Sequence, residues 1–126
     1  MTVGTWALWN TAVAGLLGAA GVVLAAAAAH RVAEPSLTTA ALFLLLHGGA
    51  AIALSALSGG SSVSTGFLVS ASLMLVAVAL FSGDVAARVL IGDRVFPFAA
   101  PLGGSLLILS WIGAAATAVV GVLKAS

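Results

Sequence analysis

Four Lys/Arg, three Asp/Glu and two His are all the ionisable side chains that this 126-residue chain offers for acid–base chemistry. Six of the seven charges fall in two short regions: Arg31 and Glu34, then Asp84, Arg88, Asp93 and Arg94. Asp84 and Arg88 stand at i and i+4 with the acid first, the favourable order for a pair on one helix face. His47 interrupts a long apolar run. A histidine there suits a proton relay or a metal ligand, because its unperturbed titration falls near neutral pH. Ser82 completes a polar set with His47, Asp84 and Arg88. His30, Gly83, Pro101, Gly103, Gly104 and Trp111 form a second set, suited to the interface or to helix packing.

Each of these residues has a plainer reading. A neutral His47 can act as interhelical glue, bonding to Ser82, Ser55 or a backbone carbonyl. Asp84 with Arg88 can be a neutralised structural pair. Trp111 can be packing, although its indole N–H needs a partner. A two-His metal or haem site from His30 and His47 meets a depth conflict of about 15 Å. Catalytic signatures are missing. Without Cys, disulfides, thiolate metal sites, Fe–S clusters and a Cys nucleophile are excluded. There is no HExxH, no GxSxG, and no phosphate-binding loop around Gly103-Gly104. The expectation is therefore no enzyme, no catalytic residues, no metal and no cofactor.

The elements that hold these residues follow from composition. The chain is 63% hydrophobic and 6% charged, with a mean hydropathy of +1.31. Soluble domains carry roughly 25% charged residues, so water is not the main solvent. The net charge of +1, without a basic run, excludes a nucleic-acid surface. A membrane helix needs about 20 apolar residues, and the chain supplies four such stretches. They lie at about Trp6–Ala29, Leu37–Leu57, Phe67–Ile91 and Pro101–Leu123. The expected fold is all-α, a four-helix integral membrane bundle with short loops, forming a single domain over residues 1–126. The lipid bilayer is its first partner. A β-barrel would need many alternating strands, which are missing. Met1–Thr5 has no Lys or Arg, so the first stretch reads as a retained span and not as a signal peptide.

Helical rise gives depths. Counting from the Ile91 end, Arg88 is about 5 Å in, Asp84 about 10 Å and Ser82 about 14 Å. His47 is about 15 Å into its own span. A polar track from Asp84 towards His47 is thus allowed. An ionisable group inside the membrane is costly, which makes it a functional candidate. Small residues recur every four positions at Thr11-Gly15-Ala19, Gly21-Ala25-Ala29, Ala79-Gly83-Ala87 and Gly113-Thr117-Gly121. Such stripes let helices approach closely, either within the bundle or against a second copy or another protein. Ser58–Gly66 reads as a flexible, uncharged loop. Trp6 and Trp9 read as an aromatic belt. An even number of spans puts both termini on one side. Arg31, Arg88 and Arg94 outnumber Lys124, so the positive-inside rule puts both termini outside.

The segments Leu80-Phe81-Ser82-Gly83, Gly92, Pro101-Leu102-Gly103-Gly104 and Trp111 resemble a family of small bacterial membrane proteins. It is known as domain of unknown function family 423, and is similar to the eukaryotic transmembrane protein 256 family. Ala29-His30 and His47 also fit its pattern, and the resemblance covers nearly the whole chain. It implies four spans and a bacterial inner-membrane location, and it implies no activity. Many members have an uncharged residue at Asp84 and an apolar one at Arg88, and Thr is common where Ala100 stands. The resemblance thus assigns Asp84–Arg88 to a subgroup. It makes His30, His47, Ser82 and Pro101–Gly104 the better candidates for a shared role. Pro101 presets a first helical turn, and Gly103 and Gly104 allow a neighbouring helix to approach, with span three at Gly83 as the expected contact. The alternative is a backbone-lined notch for an anion at a helix N-terminus.

Three functions follow in order of preference. The first is a non-enzymatic accessory or scaffold protein of a membrane complex. The second is a small homo-oligomeric transporter or channel using the track from Asp84 to His47. The third is a haem- or metal-binding membrane protein.

Overall fold

In hydrocarbon, a backbone amide has no water to bond, so a chain this apolar must close its hydrogen bonds within helices. The computed structural model describes residues 1–30 and 34–126, and Arg31 lies outside the described residues. Four helices follow one another: α1 (Val3–His30), α2 (Pro35–Leu57), α3 (Ser64–Leu90) and α4 (Ala99–Ala125). All four are long and apolar enough to cross a membrane. Among the described residues there is no strand. The protein is an all-α bundle of membrane-spanning helices.

Each helix starts two or three residues before its expected apolar run, because the residues that flank the run continue the helical ladder. The Thr2 hydroxyl accepts the Thr5 amide at 3.1 Å and caps the start of α1. Pro35 occupies the first position of α2, where its missing N–H costs nothing. Pro101 is the third residue of α4, still within the turn whose amides have no helical partner.

The connection from α2 to α3, expected as a loop over Ser58–Gly66, is shorter, because α3 starts at Ser64. It is a turn wired by serines. Ser58 Oγ donates to Ser55 O at 2.7 Å, and Ser64 Oγ lies within bonding distance of both Ser58 O and Ser61 O. Gly60 takes the left-handed conformation (φ 78°) that closes the turn.

Packing runs in chain order. α1 lies against α2, α2 against α3 and α3 against α4, with a smaller contact between α1 and α3. The central pair holds the core, with Leu44, Leu68, Met74 and Val78 buried. Only Asn10, Ala14 and Gly21 are buried on α1. Two of the small-residue stripes pack inward. A Cβ at Gly21 would meet Ala41 O at 3.1 Å, and one at Gly66 would stand 2.5 Å from Thr117 Oγ1. The Thr11-Gly15-Ala19 stripe is exposed, as are Ala79 and Gly83.

Gly103 makes the tightest approach to a backbone. A Cβ there would stand 2.6 Å from Phe81 N and 2.7 Å from Ala77 O. This corrects the expected contact at Gly83, which has nothing within 4 Å of its Cβ position. The helical period turns Gly83 away from α4 and presents the Ala77–Phe81 turn instead. Gly103→Leu should therefore force α4 off α3, at a cost of about 1–3 kcal/mol. Gly83→Ala should stay within about 0.5 kcal/mol of the parent. Thermal unfolding in detergent compares the two, and equal losses would contradict this packing.

Candidate functional site

Most of the buried polar side chains inside the helices take a partner from the protein. Asn10 is the sole carboxamide in the chain and belongs to no sequence motif. Its Nδ2 donates to Leu68 O at 3.3 Å, and its Oδ1 accepts from Ser72 Oγ at 2.9 Å. Ser72 Oγ in turn accepts from the Trp6 indole at 2.8 Å. Trp6 is thus turned onto α3, whereas Trp9 is 64% exposed as an aromatic belt residue would be. The relay fastens the start of α1 to α3. The available signal was a lone carboxamide within an apolar span, where a polar group is expensive unless bonded.

His47 is buried on α2. Its Nδ1 lies 2.8 Å from Phe43 O, one turn back on the same helix. A carbonyl can only accept, so the Nδ1 that faces it carries a proton. Neither Ser82 nor Ser55 bonds to this ring among the described residues. Ser55 Oγ is itself buried without a partner there. The imidazole instead sits in an aromatic corner. Phe43 lies 5.2 Å away between centroids, and Trp111 of α4 meets it edge-on at 6.1 Å. Phe43 stacks on Phe81 of α3 at 4.7 Å. Three helices therefore meet around His47.

Ser82 Oγ donates to Ala40 O at 2.9 Å and ties α3 to α2. Asp84 is 1% exposed. Its Oδ2 is 3.3 Å from Arg88 Nε, and its Oδ1 accepts the Val95 amide at 3.0 Å. The expected pair is present, with a third member from the α3–α4 connection. The Arg88 side chain is 41% exposed, so the ion pair is screened and contributes little. The bond to the Val95 amide is the stronger restraint, since it is part-buried and charge-assisted. It pulls the connection down onto the end of α3.

The candidate residues therefore divide. Asp84, Arg88, Pro101 and Gly104 line one groove, together with Arg94 and Phe81. Gly103 is buried against α3 beside them. His47 and Trp111 meet elsewhere, around Phe43. Asp84, Ser82 and His47 do not bond to one another among the described residues; each takes a backbone partner. His30 ends α1 beside Val23, Ala26 and Ala27, apart from both groups. Gly83 lines a different groove, between α1 and α3. Among the described residues, no three His, Asp or Glu side chains come together as a metal site would need.

Asp84→Ala would leave the Val95 amide without its acceptor, a loss of about 1–3 kcal/mol. The freed connection should then be cut faster by trypsin after Arg94. Asp84→Asn keeps an oxygen for the amide and should fall between. Equal cleavage rates in all three proteins would separate Asp84 from the connection.

Residues 17–104 match the family described as "Protein of unknown function (DUF423)". Neither the curated proteins nor the solved structures give a match. The matched stretch runs from within α1 to the first turns of α4, and so contains His30, His47, Ser82, Asp84, Arg88 and Pro101–Gly104. It spans well over half of the 126 residues, and this membrane-spanning chain therefore belongs to that family.

Proposed function

We propose that this chain is a non-enzymatic accessory or scaffold protein of a membrane complex. The observation that carries this reading is the open face of α3. Ala79 and Gly83 are exposed there, and they line an apolar groove of about 470 Å³ with Leu17, Ala20 and Ala86. Lipid tails are as apolar as leucine, so helices associate in a bilayer by close packing over small residues. A groove floored by Ala and Gly fits a partner helix on those terms. The polar side chains support the same reading. Those that a proton or solute path would use are bonded to backbone atoms of their own bundle.

Gly83→Leu fills the groove from a position with nothing within 4 Å of its Cβ. It should leave the thermal stability of the isolated protein unchanged. Recovery of a stoichiometric partner, purified at native abundance in mild detergent, should fall about tenfold, the effect of ~1.4 kcal/mol of lost packing. Purification of the parent protein as a lone monomer would defeat the proposal.

The location that goes with this role is the bacterial inner membrane, with both termini outside. The support for that orientation is the charge count: Arg88 and Arg94 lie towards one side and Lys124 towards the other. The chain has no Cys, so single introduced thiols report orientation cleanly. Ser126→Cys should react with an impermeant maleimide on intact cells. Asp93→Cys should react only after permeabilisation. The reverse pattern would invert the topology.

A further inference from the structure

The α3–α4 end of the bundle carries an open groove of about 580 Å³ whose chemistry changes along its length. Arg88 and Arg94 line it near the connection, while Phe81, Gly104 and Ile108 line it along the helices. Arg94 is exposed and makes no hydrogen bond or ion pair among the described residues. Arg88 meets Asp84 at Nε, and its two Nη groups make no hydrogen bond among those residues. Asp84 has both oxygens occupied and is 1% exposed, and it presents little free negative charge to the groove. Asp93 does not line the groove. Two guanidinium groups against one buried carboxylate leave a formal excess of one positive charge. The planar donor fork of Arg matches a phosphate.

Below the arginines the groove is apolar and open. A Cβ at Gly104 would meet only Phe81 Cδ2, at 3.9 Å. Ile108 is 64% exposed and continues the wall one turn further along α4. A basic rim above an apolar channel at the membrane boundary has the same order of chemistry as a phospholipid, with the phosphate outermost and the acyl chain within.

The geometry points to a binding site for one anionic phospholipid, with its phosphodiester on Arg88 and Arg94 and an acyl chain along Phe81, Gly104 and Ile108. The excess charge selects an anionic headgroup, because the amine of a zwitterionic one would face two guanidinium groups. The apolar wall selects a lipid over free phosphate. This groove is separate from the one between α1 and α3, so the site does not depend on the scaffold reading.

The full-length protein, purified in detergent, is titrated with phosphatidylglycerol, phosphatidylcholine or inorganic phosphate, and bound adducts are counted by native mass spectrometry. Phosphatidylglycerol should be retained over phosphatidylcholine. Arg94→Gln should weaken its retention about fivefold, the effect of one cation near an anionic surface, and Arg94→Lys, which keeps the charge without the planar fork, should restore only part of it. Gly104→Leu should block the channel and cut lipid retention without unfolding the protein. Equal retention of both lipids would overturn the proposal, as would unchanged retention in Arg94→Gln or Gly104→Leu. Inorganic phosphate that displaces the lipid and binds Gly104→Leu normally would assign the site to the free ion and overturn the lipid.

Discussion

A polar group in hydrocarbon must find its partner inside the protein, and the arrangement of these four helices depends on that constraint. An unbonded amide or hydroxyl costs several kcal/mol there, because no water can replace the missing bond. The apolar residues supply no comparable preference, since a leucine facing lipid is nearly as well solvated as one facing another helix. Relative helix position is therefore set by a few polar bonds and by the places where backbones can touch. Asn10 and Trp6 fix α1 to α3, Ser82 fixes α3 to α2, and Asp84 fixes the connection before α4. Each bond in such a setting contributes about 0.6 kcal/mol on average. What they do mainly is choose one register among many that packing alone would leave nearly equal.

The bonds also explain where the bundle opens. α1 is held to α3 near Trp6 and Asn10. Leu17 lies about 10 Å further along α1, and from there Leu17, Ala20 and Leu24 form one side of the groove against Ala79 and Gly83. At its other edge α3 receives α4 over Gly103, with the missing side chain standing against the Phe81 backbone. One edge of α3 is thus closed by a glycine on its neighbour. The other edge keeps its own glycine, Gly83, uncovered. Small residues do both jobs, and only the helical period separates them.

That separation marks the limit of what was legible in the sequence. Hydropathy alone gives the four helices, because spanning length is a local property. The i, i+4 spacing gives the Asp84–Arg88 pair, and the Pro-Leu-Gly-Gly run gives a close approach by α4. Partners are another matter. Gly103 meets Phe81 and Ala77, not Gly83, because rotation of one helix about its axis is decided by contacts far away in sequence. His47 bonds within its own helix, to Phe43 O one turn back, a choice that spacing does not reveal. The Asp84–Val95 bond required a connection that folds back, which spacing cannot reveal. Asn10 stands out in sequence as the one carboxamide, but nothing there distinguishes Ser72 from the other serines of its span.

Asp84 shows how one such bond can shape a surface it does not join. Its Oδ2 holds Arg88 by Nε, and its Oδ1 holds the connection through the Val95 amide, next to Arg94. A single buried carboxylate thus sets the position of two cations. Because both oxygens are occupied below the surface, the acid restrains the arginines without covering them. A leucine at residue 84 would pack there with no polar cost, but it would release the Val95 amide and leave Arg88 free to extend into water. The buried charge is best explained by what it fixes: the placement of two guanidinium groups at the mouth of an apolar groove, where charge and hydrocarbon meet within one helix turn.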